Sequence, residues 1–396
     1  MLNVELNHGA PPCRVVTCAF DPDDAVSHYV HRRNTALARM IADLMGGHFA
    51  GAYQECGSSR RPLYFVPHHT LVGRALAQRV GIRSPDDLYG GVVPCAFQAT
   101  KAITHRLVGP RAQRPPGWSA RFAEAISSAV LPGYTAFRLP EAALAGTRLL
   151  RDGAVRIKPT HASGGEGQSV VHSPAELEAA LTSLDPDQVA RCGVVLERHL
   201  EHVTTYSIGQ VHVAGLTASY YGMQRFTPNN RGVPSYGGSD LVLIRGGFEA
   251  LLALDLPPHL QLAIAHAIVY DRAALVHYPY IIVSRRNYDV GQGCDHRGIR
   301  RSGVFEQSWR IGGASSAEIA ALLVFRADPT IQAVEASSCV RYGAGVVPPA
   351  GALVHFSGTD PEEGAMTIYS IVTAEWRDVR CALRGGALTQ ACAAAA

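Results

Sequence analysis

The stretch Arg156-Ile157-Lys158-Pro159-Thr160-His161-Ala162-Ser163-Gly164-Gly165-Glu166-Gly167-Gln168-Ser169-Val170-Val171 decides how the chain is read. An apolar strand over 155–159 ends in a lysine, a loop rich in glycine follows, and a second apolar strand closes the unit. Glycine lets backbone N–H groups approach an anion closely. Thr160 and Ser163 add hydroxyl donors, and a lysine beside such a loop is a point charge suited to phosphate. The Walker spacing of glycine, four residues and Gly-Lys-Ser/Thr is absent. Taken alone, the stretch is equally a glycine hairpin with an incidental lysine.

Scarcity adds weight. Of 36 basic residues only Lys101 and Lys158 are lysines. Lys101 follows Ala99-Thr100 at the head of a short helical segment. Downstream, Val194-Val195-Leu196 is a strand that delivers Glu197, then Arg198-His199-Leu200-Glu201. Read alone, that segment is an ordinary charged turn. Further on, Ser284-Arg285-Arg286-Asn287-Tyr288-Asp289 and Gly303-Val304-Phe305-Glu306-Gln307-Ser308-Trp309-Arg310 can each present a carboxylate, Asp289 and Glu306, to Mg²⁺. The plain alternative is two surface salt-bridge clusters. Arginines here can stabilise a transferring phosphoryl group or hold a carboxylate with two bonds.

Around these motifs the chain alternates strands and helices, which argues for an α/β (α+β) protein. Pro62-Leu63-Tyr64-Phe65-Val66-Pro67 reads as a short strand and Thr70–Val80 as a helix ended by Gly81. Arg121–Val130 reads as a helix. Ser173-Pro174-Ala175-Glu176 and Ser315-Ser316-Ala317-Glu318 read as capping boxes that open helices. Tyr206–Tyr220 reads as a hairpin with Gly215 in its turn, and Pro257–His277 as a long helix. The polar stretch between Tyr220 and Arg245 offers Arg225, Asn230, Tyr236, Ser239 and Arg245 as substrate contacts; Thr227–Pro234 is equally a disordered loop. Residues 381–396, ending in four alanines, read as a frayed tail.

The 396 residues, 47% of them hydrophobic, suffice for several units with a large core and exclude a disordered chain or a disulfide scaffold. A net charge of +3 gives no basic field for nucleic acid. Nine cysteines without a Cys-x-x-Cys pair suggest reduced thiols and a cytoplasmic protein rather than a zinc module. No signal peptide and no membrane span are expected.

The order of these pieces over roughly residues 90 to 330 resembles the ATP-grasp superfamily, the fold of D-alanine–D-alanine ligase and biotin carboxylase. Within it, segments such as Tyr236-Gly237-Gly238-Ser239-Asp240 look like a bacterial family of uncharacterised ATP-grasp-like proteins. The resemblance implies two α+β subdomains clasping a nucleotide, over 99–202 and 203–380, behind a small N-terminal α/β domain over 1–98. It implies ATP with Mg²⁺ or Mn²⁺ as cofactors. Lys101, Lys158, Ser163, Gly164, Gly165, Gly167, Glu197, Leu200 and Glu201 then hold the nucleotide. Asp289, Glu306 and Ser308 hold metal, with serine where relatives carry asparagine. Arg286 and Arg310 serve the chemistry. The implied activity is ADP-forming ligation: a small-molecule or peptide carboxylate is activated as an acylphosphate for an amine or similar nucleophile, in a possible homodimer. A kinase on the same fold, or a nucleotide-binding module without ligation, are the other readings.

Overall fold

The computed structural model describes residues 13–20, 26–55, 62–160 and 167–385. Strand β1 (Arg14–Cys18), helix α1 (His28–Leu44), β2 (His48–Ala52) and β3 (Leu63–Pro67) form a three-stranded parallel sheet in the order β2-β1-β3. Parallel neighbours need a crossover, and α1 supplies it between β1 and β2. Its Leu37, Ala38, Ile41 and Leu44 recur at helical spacing and are buried. The helix expected over Thr70–Val80 is shorter. Leu71–Val72 is strand β4, Gly73 breaks the chain at φ +104°, and α2 is Arg74–Val80. The competing demand is sheet pairing, because β4 lies beside β5 (Gly91–Val93).

A 3₁₀ turn carries Lys101–Thr104, and α3 (Ala120–Ala125) is only the front of the helix expected over Arg121–Val130. Then come β6 (Gly133–Ala136), α4 (Leu139–Leu150), β7 (Val155–Pro159), β8 (Ser169–Val171), α5 (Pro174–Thr182), α6 (Pro186–Cys192) and β9 (Val194–Arg198). The strands make an antiparallel sheet in the order β6-β9-β7-β8. Leu149, Ile157, Leu177 and Leu196 close its core. Ser173 caps α5 as expected, accepting from the Glu176 N–H at 3.2 Å. Ser163, Gly164 and Gly165 lie outside the described residues.

The large sheet contains β10 (Glu201–Val213), β11 (Leu216–Pro228), β12 (Pro234–Arg245), β14 (Arg285–Cys294), β15 (Arg300–Ser308), β16 (Ala333–Tyr342), β17 (Leu353–Asp360) and β18 (Gly364–Trp376). Its order is β15-β14-β10-β11-β12-β16-β18-β17, antiparallel throughout. The polar stretch between Tyr220 and Arg245 is therefore paired strand joined by a tight turn, not a loop. Helices α7 (Phe248–Leu252), α8 (Pro258–His277), α9 (Ser315–Ala327) and α10 (Val379–Gly385), with the short β13 (Ile282–Val283), complete the chain. Residues 381–385, expected as tail, thus continue α10, and Ala382 is in the core.

Strand alternation divides the core. Val242 and Ile244 of β12 pack with α8, whereas Leu241 and Leu243 pack with α9 and α1. The small and large sheets, preceded by the parallel unit, give the α/β (α+β) architecture that the ATP-grasp resemblance implies.

The box at Ser315 forms differently from the sequence reading. Ala314 is the N-cap without a side-chain bond, and Glu318 turns inward. Buried like its partners, it accepts from Arg285 at 3.1 Å (Nε) and 2.7 Å (Nη2), from Tyr220 at 2.7 Å, and from Tyr89. Breaking a buried ion pair from one side typically costs about 3–5 kcal/mol, while replacing both partners by apolar groups costs much less. Urea denaturation should therefore show Glu318→Ala destabilised by about 3–5 kcal/mol, and the double variant Arg285→Met/Glu318→Leu destabilised by clearly less.

Candidate functional site

Both lysines reach one cluster. Lys158, buried at the end of β7, pairs with Glu197 of the neighbouring β9, and the other Glu197 oxygen meets His105 Nε2 at 3.0 Å. The Lys158 ammonium also stands 4.3 Å from the centre of the Phe305 ring, on β15 of the large sheet. That ring lies against Gly291 of β14, where any Cβ would collide with it. Lys101, also buried, pairs with Glu306 at 2.8 Å. The two lysines thus tie the small sheet and the 3₁₀ turn to the strands that carry the acids.

Burial alone would raise the Glu197 carboxyl. The Lys158 charge and the His105 bond outweigh it and bring it down to about 2. Glu197 is therefore a buried, doubly partnered carboxylate rather than a solvated turn. Leu200 is buried beside it in sequence, Glu201 is exposed at the start of β10, and Gly167 adopts φ +66°.

Asp289 and Glu306 are direct cross-strand partners, and Asn287 faces Ser308 in the same ladder. Cross-strand partners share a face, so these four side chains emerge together. Burial first, then the Glu306 charge, push the Asp289 carboxyl up to about 6. Asn287 donates to Asp289 at 2.9 Å, and its Oδ1 lies 2.9 Å from the Tyr220 hydroxyl, whose single proton is shared between it and Glu318. Ser308 accepts from Arg285 at 3.2 Å. Among the described residues there is no cluster of three or more His, Cys, Asp or Glu side chains that could hold a metal ion. The two acids, with any further ligand oxygens supplied by a bound phosphate, fit a hard cation. Asn287 was missed in the sequence, although alternation along Arg285-Arg286-Asn287-Tyr288-Asp289 places it with Asp289.

That same alternation carries Arg286 away from the acids. It is bound to Asp271 of α8 at 3.1 and 2.9 Å, and Tyr288 donates to the same carboxylate at 2.7 Å. Arg310 stays with the acids: the charges of Arg285, Glu306 and Asp289 all bear on it, while burial lowers its pKa. Tyr236 is held at 2.7 Å from Ser239 and also feels the Asp289 charge. Arg225 pairs with Asp240 at 2.7 Å. Asn230 and Arg245 are not brought to the cluster. Asn230 donates to Glu363 and Ala365 carbonyls at 2.6 and 2.9 Å, and Arg245 binds the Phe325 carbonyl at 2.9 Å, near the end of α9.

Fold and site together define an α+β protein with a lysine–carboxylate cluster where the four-stranded and eight-stranded sheets meet. The chain belongs to the family described as protein of unknown function (DUF3182), which matches residues 15–370. No curated protein matches it by sequence. In structure it is similar to D-alanyl-alanine synthetase A from Vibrio cholerae, at 12% identity and TM-score 0.48 over 81% of this chain and 95% of that one. It is also similar to biotin carboxylase from Campylobacter jejuni (10%, TM-score 0.48, 91% and 87%). A further similarity is to phosphoribosylamine–glycine ligase from Thermotoga maritima (12%, TM-score 0.47, 96% of each).

The depressed Glu197 carboxyl makes a pH prediction. An acid lowered from 4.5 to about 2 stabilises the fold above the unfolded value and loses that contribution as pH falls through the folded one. Stability of the native chain should fall between pH 4.5 and about 2. Glu197→Gln should be less stable at pH 7 and show a flatter acid limb in denaturation curves.

Proposed function

We propose that the chain is an ATP-grasp ligase that forms a carbon–nitrogen bond and releases ADP. The observation that supports this best is the pairing of its only two lysines, both buried, with Glu197 and Glu306. Lys158 and the amides of the glycine sequence after it bind the ATP phosphates. The Val194–Leu200 segment lines the adenine. Asp289 and Glu306 hold Mg²⁺, which when bound offsets phosphate charge. A carboxylate oxygen of the substrate attacks the γ-phosphorus in line, and the electron pair of the breaking P–O bond leaves with ADP. An amine then attacks the acylphosphate carbonyl, loses a proton, and expels phosphate. Arg310 orients the carboxylate with two parallel bonds and stabilises the oxyanion formed in the second step. Asn287 and Tyr220 position Asp289.

One observation favours a nucleotide-binding module without ligation: the Ser308 hydroxyl is already taken up by Arg285. ADP formation separates the two readings. Lys158→Ala should weaken ATP binding at least tenfold by calorimetry; unchanged affinity in both Lys101→Ala and Lys158→Ala would remove the nucleotide assignment. Glu306→Gln should keep the circular dichroism of the native chain and lose ADP release. With a productive acid, hydroxylamine should trap a hydroxamate. A stable phosphorylated product without hydroxamate would establish a kinase instead.

A further inference from the structure

The Glu197 carboxylate is shared between two partners. One oxygen pairs with the Lys158 ammonium, the other lies 3.0 Å from His105 Nε2, and all three side chains are buried. The sequence motifs account for the glutamate and the lysine and leave the histidine unused. Register makes Gly133 of β6 and Arg156 of β7 the cross-strand neighbours of Glu197. Neither supplies the second partner. Glycine has no side chain, and the Arg156 guanidinium goes to Gln168 at 3.1 Å and His199 at 3.2 Å. The imidazole of His105 takes the place that Gly133 leaves open, because a Cβ on Gly133 would sit 2.7 Å from two of its ring atoms. A histidine from outside the ladder thus stands where a cross-strand side chain would be.

The backbone around His105 is fixed on two sides. The Thr135 hydroxyl of β6 donates to the Ala102 carbonyl at 2.7 Å, and the Thr135 N–H donates to the Arg106 carbonyl at 2.9 Å. On the other side, the Thr104 and Tyr270 hydroxyls lie 3.1 Å apart and tie the 3₁₀ turn to α8. Lys158 differs: its ammonium ends a flexible four-carbon stem beside the glycine sequence. When that ammonium turns to an anion, Glu197 loses a counter-charge, and a buried carboxylate stripped of its partners is costly. His105 keeps its bond, so Glu197 stays partnered while Lys158 is released.

We propose that His105 is a positioning residue: through Glu197 it fixes where the Lys158 ammonium rests, and it keeps that carboxylate bonded when the ammonium turns to phosphate. The inference rests on the nucleotide reading for the identity of the anion, whereas the chain of contacts from His105 through Glu197 to Lys158 stands without it.

The scarcity of lysine supplies the test. With ¹³Cε-labelled lysine the full chain gives one ε-methylene signal each for Lys101 and Lys158, assigned with Lys101→Arg and Lys158→Arg. In nucleotide-free protein, His105→Leu should shift the Lys158 signal and leave the Lys101 signal in place. His105→Gln, which keeps an N–H donor at similar reach, should return it toward the native position. If His105→Leu does not fold, His105→Asn, whose amide is too short to reach Glu197, takes its place with the same expectations. Calorimetry reads the consequence. The imido analogue of ATP with Mg²⁺ should bind His105→Leu about tenfold more weakly, the worth of one charge-assisted hydrogen bond. Adenosine, which has no phosphate, should bind as it does to the native chain, and His105→Gln should recover part of the loss for the analogue. An unmoved Lys158 signal, both lysine signals moving together, or equal weakening of adenosine and the analogue would overturn the positioning role. Failure of the analogue to bind the native chain would overturn the nucleotide reading instead, and the two lysine signals would still decide whether His105 positions Lys158.

Discussion

A carboxylate withdrawn from water must find enough donors to replace its hydration, and Glu318 finds them on three separate parts of the chain. Arg285 comes from β14, Tyr220 from β11 and Tyr89 from the approach to β5. The same Arg285 reaches the Ser308 and Arg310 carbonyls at 3.2 and 2.8 Å. One buried charge thereby sets the seating of α9 on the sheet, the docking of the parallel unit, and the course of the chain from Ser308 to Arg310. The position of Arg310 beside the acids follows from it.

Strand alternation then sorts the chemistry. Arg285, Asn287 and Asp289 share a face of β14, while Arg286 and Tyr288 turn to Asp271 on α8. Two adjacent arginines thus serve different ends. On the other side of the site, Lys158 and Lys101 link the small sheet and its preceding turn to β15 through Phe305 and Glu306. Gln307 points the opposite way and donates to the Thr100 carbonyl at 2.7 Å, which fixes the turn that carries Lys101. Successive residues of one strand hold the lysine's backbone and its ammonium.

The distribution of charge gives the site a direction. Around the lysines, cation and anion are matched side chain to side chain. Toward α1, Arg33 has no carboxylate at ion-pair distance among the described residues and donates instead to the neutral Asn34 at 3.1 and 2.9 Å.

By itself the sequence determined the elements and the local chemistry. The Lys158 strand, the Ser173 cap, the hairpin turning at Gly215 and the long α8 are written in periodicity and turn residues, which act over a few positions. The pairing of two rare lysines with two motifs pointed to the cluster, and Asp289 and Glu306 do meet as cross-strand partners. Tertiary structure alone decided the rest. Leu71–Val72 pairs in a sheet instead of starting a helix, because backbone pairing with β5 is available only once the chain has folded. Glu318 leaves its cap because Arg285, Tyr89 and Tyr220, all distant in sequence, offer more donors than the helix end does.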